Sequence, residues 1–273
     1  MIEASVIIAF YNKLNYLKLV LSSFKRQTIK EFEILVADDG SSNEVVTEIN
    51  SIIQKSDLCI RHVWQEDNGW RKNKILNKAI KNATADYLIF IDGDCIAHKN
   101  FIKEHLLNRE QGIILSGRRL NLSKEISDSL SEELVRDGFL ERKIVSWLMK
   151  GLTKEFSHAE KGLYLPFLRP ILKMKKKELL GCNFSIFKDD LYKINGFDER
   201  YLAPTIGEDT DIEFRAGLAG LKIKSVRNLA VQYHLYHDIL SRDNNNYLIF
   251  EETKRNRISF TPYGLLQENP DIV

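Results

Sequence analysis

Short apolar runs alternate with amphipathic helical patterns through the first part of this chain. The runs are rich in β-branched and aromatic residues, which favour strands. Strands that alternate with helices in this way indicate βαβ units, and so an α/β fold with a mostly parallel central sheet. The predicted strands are 5–10, 32–37, 60–64 and 87–91, and the predicted helices are 16–26, 45–55 and 72–82.

Polar residues follow three of these four predicted strands. The first strand is followed by Asn12, the second by Asp38 and Asp39, and the fourth by Asp92 and Asp94. Ligands of open parallel sheets bind at the carboxyl ends of the strands, where neighbouring strand ends meet. The convergence of these polar turns at one edge predicts a nucleotide-binding site there.

Asp92, Gly93 and Asp94 form the most informative of these turns. Side chains alternate along a strand, so Asp92 and Asp94 can point to the same side, while Gly93 lets the backbone turn close to a ligand. Carboxylate oxygens suit Mg²⁺ or Mn²⁺ better than zinc, and phosphate oxygens often fill the positions that remain open. The pattern therefore predicts a divalent metal beside a phosphorylated ligand. The competing interpretation is an ordinary turn after a buried strand.

The composition and the missing motifs exclude several classes of protein. The 273 residues carry a net charge of only +2, so no overall positive field attracts nucleic acid. No GxGxxG follows the first strand and no GxxxxGK[ST] occurs in the chain, which argues against a dinucleotide-binding dehydrogenase and a P-loop protein.

Three features bear on location. Cys59, Cys95 and Cys182 are widely spaced and odd in number, which favours a reducing compartment. Glu3 stands where a secretory signal would be positively charged. No stretch reaches the roughly 18 uncharged apolar residues of a membrane span. We expect a cytoplasmic protein.

The pattern changes to lysine-rich helical segments across residues 121–180. Between residues 143 and 177, apolar side chains such as Trp147, Leu148 and Phe167 are interleaved with many lysines. Two interpretations stay open. The segment is either a helical subdomain with a solvated basic face, or a surface for peripheral contact with the inner face of the cytoplasmic membrane.

A second group of polar residues lies in the last part of the chain. Glu208, Asp209 and Asp211 cluster at the predicted start of an amphipathic helix, where a carboxylate can be aimed into a cleft as a general base. His234 and His237 end another strand-like run. They are either ordinary surface or core histidines or metal ligands, and imidazole ligands would favour Mn²⁺ over Mg²⁺.

Six motifs occur in order between residues 5 and 237. They begin at Ser5, Ala37, Asp92, Gly181, Asn195 and Gly207 and read SVIIAFYNK, ADDGSSN, DGD, GCNFS, NGFDE and GEDTD. This ordered set resembles the family 2 glycosyltransferases, inverting enzymes with the GT-A fold, of the bacterial surface-polysaccharide type. The resemblance implies a UDP-sugar donor, Mn²⁺ or Mg²⁺ as cofactor, and a glycan acceptor that is either free or lipid-linked.

The resemblance also implies residue roles on the donor side. The backbone near Ala9, Phe10 and Asn12 would lie against the nucleotide, while Asp39 accepts a hydrogen bond from uracil N3 and Asp38 lies nearby. Asp94 would be the principal metal ligand, completed by His234 or by its rival His237. Asp92 and Gly93 would lie at the donor ribose or sugar. Leu76 replaces an arginine of the common pattern, so phosphate contact is predicted instead from Arg71, Lys72 or Lys74.

On the acceptor side the resemblance implies that Asp209 is the catalytic base and that Glu208 contacts the acceptor. Further acceptor contacts are predicted at Gly181, Cys182, Asn183 and Asp211. The implied domain covers residues 1–240, with a nucleotide-sugar half at 1–120, a helical basic insertion at 121–180, an acceptor half at 181–240 and a tail at 241–273.

Two other classes of function stay open. A nucleotidyltransferase that makes the sugar nucleotide would share the sheet and the metal, but it usually has a glycine-rich basic loop after the first strand. A non-catalytic carbohydrate-binding module could keep the fold without the chemistry.

Overall fold

The computed structural model describes residues 1–149, 159–172, 178–204, 209–238 and 245–266. Its strands are β1 (Ala4–Phe10), β2 (Phe32–Asp38), β3 (Ile60–Trp64), β4 (Tyr87–Asp92), β5 (Cys95–Ala97), β6 (Ile113–Ser116), β7 (Arg118–Asn121), β8 (Asn183–Phe187), β9 (Lys222–Ser225) and β10 (Val231–His234). Seven of them form one sheet in the order β3-β2-β1-β4-β8-β6-β9, in which β8 runs antiparallel to both of its neighbours. The other pairs in this sheet are parallel, which confirms the prediction of an α/β fold with a mostly parallel central sheet.

Helices cover both faces of this sheet. The described helices of the chain are α1 (Leu14–Phe24), α2 (Asn43–Lys55), α3 (Lys72–Asn82), α4 (Phe101–Asn108), α5 (Lys124–Ser129), α6 (Glu132–Arg136), α7 (Phe139–Met149), α8 (Arg169–Leu172), α9 (Lys188–Tyr192), α10 (Asp209–Leu218) and α11 (Asn245–Arg255). Short 3-10 helices span Ala159–Gly162 and Pro166–Leu168. The predicted strand 60–64 and helix 72–82 match β3 and α3, and the other predicted elements differ from the structure by one or two residues at their ends.

Alternation along β1 divides the core into two layers. Val6 and Ile8 pack with α1, α2 and α4, whereas Ile7 packs with α3 and α10 on the opposite face. Successive side chains of a strand point to opposite faces, so a strand covered on both sides must be apolar at nearly every position. The apolar sequence of β1 meets that requirement. Because β1 lies between β2 and β4, its carboxyl end is near the middle of the sheet edge.

A three-stranded sheet, in the order β5-β10-β7, carries the helical insertion. Leu120 of β7 and Ile144 of α7 share an apolar cluster with Tyr233 of β10. Arg169 ion-pairs at 2.7 Å with Glu104, a fully buried carboxylate of α4, and so anchors the insertion to the domain. The insertion is helical over most of its described part.

Residues 150–158 and 173–177 of the basic segment lie outside the described residues. Within the part of the chain that the structure describes, no helix combines the length and apolar character needed to cross a bilayer.

The C-terminal segment, predicted as a tail at 241–273, belongs to the domain over its described part. Asn195 Nδ2 donates to the Thr261 carbonyl at 2.7 Å, and Asn195 Oδ1 accepts from Leu266 N–H at 2.7 Å. Leu265 is buried in the layer that contains α3 and α10. Residues 245–266 therefore pack against the domain, where they supply the hydrogen-bond partners of the Asn195 side chain.

Candidate functional site

Three side chains that can bind a metal meet beyond the carboxyl end of β4. One ligand atom each from Asp94, His234 and His237, the metal trio, lies within 4.8 Å of the other two. His234 Nε2 is 3.6 Å from Asp94 Oδ1, and His237 Nε2 is 3.3 Å from Asp94 Oδ2. The sequence left open which histidine belongs to the site, and in the structure both lie beside Asp94.

The protonation of the trio suits a cation. Burial opposes ionisation of Asp94, but the hydrogen bond from His237 and the charges that both histidines carry at acidic pH outweigh it, so the pKa of Asp94 lies below its ordinary value. The same hydrogen bond raises the pKa of His237. Burial lowers the pKa of His234 to about 4, so this imidazole is neutral and able to bind a metal at neutral pH. A bound cation would take the place of the His237 proton beside Asp94.

Hydrogen bonds hold the loop that carries His237. Tyr236, its neighbour, donates its N–H to Ser127 Oγ of α5 at 2.9 Å and accepts at its carbonyl from the Tyr16 hydroxyl of α1 at 2.7 Å. The loop is thus fixed by two helices, which reduces the ordering that a metal would otherwise have to impose.

The donor set fits the predicted cofactor. One carboxylate and two imidazoles suit Mn²⁺ better than Mg²⁺, and three protein ligands leave positions for phosphate oxygens. Asp92 lies outside the trio, because its Oδ1 accepts from Lys72 Nζ at 2.9 Å. The two aspartates of the turn therefore face different partners.

Asp39 forms the second part of the site, beyond the carboxyl end of β2. Its Oδ1 accepts from Gln65 Nε2 at 2.6 Å and its Oδ2 from the Arg71 N–H at 2.8 Å. Burial raises the pKa of Asp39 to about 6, and these two hydrogen bonds offset it only in part. Tyr11 lies nearby, 47% exposed, with its hydroxyl donating to Asp67 at 3.1 Å. A buried acceptor next to an exposed aromatic ring suits a nucleobase.

Asp38 and Asn12 join the surrounding loops. Asp38 is fully buried, and it accepts from Ser41 N–H and Oγ and bonds to His62 Nε2 at 2.8 Å. Asn12 donates its N–H to Ser41 Oγ at 2.8 Å and accepts at its side chain from Ser42 N–H at 3.0 Å. Asp38, predicted to contact the nucleotide, has no surface for a ligand; it shapes the loop that presents Asp39.

The ends of β1 and β4 approach each other closely. Gly93 N–H donates to the Ala9 carbonyl at 2.8 Å, and a Cβ on Gly93 would lie 3.0 Å from that oxygen and 3.2 Å from Phe10 Cδ2. The Phe10 side chain is buried, while its carbonyl accepts from Asp39 N–H at 2.9 Å. Ala9, Phe10 and Gly93 therefore set the spacing between the metal trio and Asp39.

Gly40→Ala is expected to destabilise the protein strongly. Gly40 has φ +93°, and an added Cβ would lie 2.5 Å from the Asp67 Cα. Backbone strain of this kind costs about 1–3 kcal/mol, and the backbone contact adds to it. Denaturant unfolding measures the loss. Gly220→Ala is the matched control, because Gly220 has φ +82° with nothing within 4 Å of the added Cβ. Equal losses in both variants would contradict the packing of Gly40 against Asp67.

The three basic residues predicted to contact phosphate point to different partners. Lys72 reaches Asp92, near the metal trio. Arg71 donates its backbone N–H to Asp39 and a side-chain N–H to the Trp70 carbonyl, and Lys74 is exposed beside it. Of the three, Lys72 has the position best suited to a phosphate.

Asp209 begins α10 and reaches the segment before β8. Its Oδ2 accepts from Gly181 N–H at 3.2 Å, and its side chain is partly exposed. β8 pairs with β4 so that Asn183 lies opposite Ile91, which brings Gly181 and Asp209 to the same sheet edge as the metal trio. Glu208, predicted beside the base, lies outside the described residues.

Three residues predicted to bind the acceptor are buried supports. Asn183 donates to the backbone carbonyls of β7 and of the residue before β10, and Cys182 is 3% exposed. Asp211 is fully buried and ion-paired with Arg215 at 2.6 Å. None of these three side chains offers a free surface to an acceptor, whereas Gly181 stays beside Asp209.

The structure adds four residues that sequence reasoning did not assign to the site. Gln65 and Asp67 follow the third predicted strand, so the strand-end rule that found Asp39 could have found them. Tyr11 was visible as an aromatic residue in the first turn. Arg119, half-buried on β7, interacts electrostatically with Asp92, and no motif in the sequence marks it.

Comparison with protein families identifies the class of protein. The family model described as glycosyl transferase family 2 matches residues 5–144, just over half of the chain. A second model, described as the N-terminal domain of galactosyltransferase, matches residues 167–238. The chain belongs to glycosyltransferase family 2.

Individual relatives agree with this assignment. Chondroitin synthase of Escherichia coli is 26% identical over 255 residues, which is 84% of this chain and 34% of that protein. The structure of GalNAc-T7 with UDP, GalNAc and Mn²⁺ has a TM-score of 0.67 at 15% identity and covers 93% of this chain and 48% of that one. The structure of Staphylococcus aureus TarS 1–349 with UDP-GlcNAc has a TM-score of 0.59 at 17% identity, over 92% and 65% of the two chains.

These neighbours are GT-A glycosyltransferases, so the predicted GT-A fold is confirmed. The chain spans 17% to 34% of the length of the first curated relatives it matches.

Proposed function

We propose that this protein is an inverting glycosyltransferase that moves a sugar from a UDP-sugar to a hydroxyl of a glycan acceptor. The observation that carries the proposal is the meeting of three groups at one sheet edge: the metal trio, the buried acceptor Asp39, and Asp209 at the start of α10. The metal trio would face the donor diphosphate, Asp39 the nucleobase of the donor, and Asp209 the attacking hydroxyl of the glycan acceptor.

The donor nucleotide is assigned from Asp39 and Tyr11. The Asp39 carboxylate can accept the imide N3–H of uracil, and the exposed Tyr11 ring offers an apolar face to the base. A cytosine ring has no N–H at that position, so an acceptor there favours uracil. The UDP in the GalNAc-T7 structure and the UDP-GlcNAc in the TarS structure support this choice.

The metal trio would hold Mn²⁺ or Mg²⁺ at the diphosphate, where a divalent cation supplies positive charge to the leaving group. Mn²⁺ in the GalNAc-T7 structure supports the proposal. Lys72, held by Asp92, can add a second positive charge on the same side. In this proposal Asp94 binds the cation, and Asp92 holds Lys72 and lies beside the donor sugar.

Asp209 would accept the proton from the acceptor hydroxyl as its oxygen attacks the anomeric carbon. Its Oδ2 is oriented by the Gly181 N–H, and the helix start holds the carboxylate at the protein surface. One base and a leaving diphosphate suffice for a single displacement, which inverts the anomeric centre. A retaining glycosidase, in contrast, needs a second carboxylate as nucleophile.

Incubation of the purified protein with UDP-sugars and Mn²⁺, without acceptor, separates the candidate functions. Slow release of UDP is expected for the transferase. Formation of pyrophosphate would support the nucleotidyltransferase, and sugar binding without any turnover would support the carbohydrate-binding module.

Asp39→Asn is expected to stabilise the unliganded protein above pH 6 and to weaken its binding of uridine. The pKa of Asp39 is raised from 3.8 to about 6, so the stability that the neutral form provides is lost as the pH rises through about 6. The shift corresponds to about 3 kcal/mol at most. Gln65 can pair with the new amide, because its Oε1 is buried and has no hydrogen-bond partner among the described residues.

Denaturant unfolding at pH 5 and pH 8 and NMR titration with uridine, which needs no metal, measure both effects. A variant less stable than the parent at pH 8, or one that binds uridine equally well, would contradict the role given to Asp39.

We infer that the acceptor is a bacterial surface glycan, because chondroitin synthase of Escherichia coli matches most of this chain.

A lipid-linked glycan would bring residues 143–177 to the inner face of the membrane. Phe167 is 74% exposed in that segment, so Phe167→Ala is expected to reduce sedimentation with anionic vesicles. Leu107→Ala, at a residue 55% exposed on α4, is the control. Equal sedimentation with neutral and anionic vesicles, or none with either, would make the segment an ordinary helical cover.

A further inference from the structure

Four basic side chains gather on the insertion side of the candidate base. We call Arg118, Arg119, Lys161 and Arg227 the basic cluster, since their charges act on one another. Two of them belong to β7, one to the 3-10 helix Ala159–Gly162, and one to the loop after β9. The cluster therefore lies where the two sheets meet the helical insertion.

The basic cluster contacts the same short segment as Asp209. Arg118 Nη2 donates to the Glu178 carbonyl at 2.9 Å, and Arg119 Nη1 donates to Cys182 Sγ at 3.5 Å. Gly181, between these two positions, donates its N–H to Asp209 Oδ2. A group bound at the cluster would thus lie next to a hydroxyl bound at the base.

Most of the cluster has no carboxylate partner. Arg227 pairs with Glu160 at 3.2 Å, yet its Nε is buried and makes no hydrogen bond to the part of the chain that the structure describes. Among the described residues, Arg118, Arg119 and Lys161 have no acidic group within ion-pair distance, and Arg118 donates only to uncharged oxygens.

Lys161 and Arg118 are opposed by other charges of the cluster, whereas the pKa of Arg119 is raised despite its burial by neighbours that include Asp92. Burial lowers the pKa of Lys161, Glu160 offsets this in part, and the charges of the three arginines lower the pKa further. Partly buried cations such as Arg118 and Lys161, which have no carboxylate of the described residues at ion-pair distance, cost free energy. An anionic ligand would relieve both the repulsion and the missing hydrogen bonds, and charge-assisted bonds from guanidinium are well suited to carboxylate and phosphate.

We propose that the basic cluster binds a negatively charged group of the acceptor glycan, a sugar carboxylate or a phosphodiester, next to the hydroxyl that receives the transferred sugar. The inference rests on the proposed function, because Asp209 defines the acceptor side. The donor diphosphate does not need the basic cluster, because the cation at the metal trio and Lys72 would supply positive charge to it. The protein would therefore extend an anionic glycan in preference to a neutral one.

Binding of three tetramers to the protein with UDP and Mn²⁺, measured by calorimetry at low and high salt, tests the inference. The probes are tetragalacturonate for the carboxylate, a glycerol-phosphate tetramer for the phosphodiester, and cellotetraose as the neutral control. We expect at least one anionic probe to bind roughly tenfold or more tighter than cellotetraose, with the better probe identifying the charged group.

Arg119→Gln and Lys161→Gln are each expected to weaken the better anionic probe roughly tenfold, and Lys161→Gln is expected to leave UDP affinity unchanged. Lys81→Gln removes the same charge from an exposed position on α3 and should have no effect. The Lys161 side chain makes no hydrogen bond to another described residue, so its replacement decides the question if Arg119→Gln proves unstable in thermal unfolding.

Equal affinity for all three tetramers, or equal losses in Lys161→Gln and Lys81→Gln, would overturn the inference while leaving UDP binding intact. Tight binding of an anionic tetramer without any binding of UDP would support the anion site but would contradict the proposed function.

Discussion

Asp94→Ala is expected to abolish the Mn²⁺-dependent part of UDP binding. Asp94 is the one carboxylate of the metal trio, and its two oxygens face both histidines at 3.6 and 3.3 Å. Loss of a residue that merely orients a metal ligand costs about 10–100-fold in metal affinity, so loss of the ligand itself should cost at least about 100-fold. Without the cation, the remaining acidic groups face the diphosphate without compensation.

Calorimetric titration of UDP with and without Mn²⁺ measures this effect. Asp238→Ala is the matched control, because it removes an exposed carboxylate one residue after His237 that is not part of the trio. His234→Ala and His237→Ala should each weaken Mn²⁺ dependence. Parental UDP binding by Asp94→Ala in Mn²⁺ would show that the trio is not the metal site.

Asp209→Asn is expected to slow sugar transfer by about 10²–10⁴-fold, the usual contribution of a general base. The affinity for the UDP-sugar should change little, because Asp39 and the metal trio lie on other strand ends. The amide keeps one oxygen that can accept from Gly181 N–H, but it loses the second acceptor that now takes the Thr210 N–H at 2.7 Å, so thermal unfolding of the variant is measured alongside turnover. Turnover and donor affinity, measured together, separate the loss of a base from the loss of binding.

Asp211→Asn provides the contrast two residues away. Asp211 is buried with Arg215, and removing one partner of a buried ion pair leaves the other uncompensated, at a cost of about 3–5 kcal/mol. That variant should lose more stability than Asp209→Asn, which gives up one hydrogen bond at the partly exposed start of α10. If Asp209→Asn kept the parental turnover, or if its whole defect were weaker donor binding, Asp209 would not be the base.

Much of the fold could be predicted because the strands are buried on both faces. A strand such as β1 must be apolar at nearly every position, and the polar residue that ends it marks the functional edge of the sheet. The same reasoning located Asp39 and Asp94. Position along the chain was therefore informative for residues that directly follow strands.

Depth in the structure could not be predicted from those patterns. Asp38 and Asp39 are neighbours in sequence, yet Asp38 is fully buried because His62 of β3 reaches its carboxylate with a hydrogen bond. Asp211 is buried because Arg215 stands one helical turn later on the inner face of α10. In each case a partner, and not the local sequence, decides whether the carboxylate faces a ligand or the core.

The product formed from a UDP-α-sugar tests the central claim most directly. Wild-type protein, Mn²⁺, the UDP-α-sugar that binds best and methanol as a small acceptor can be followed by proton and phosphorus NMR, and a methyl glycoside keeps its anomeric configuration once formed. Single displacement with Asp209 as base predicts UDP and the methyl β-glycoside. The methyl α-glycoside, or cleavage to UMP in place of UDP, would contradict the account.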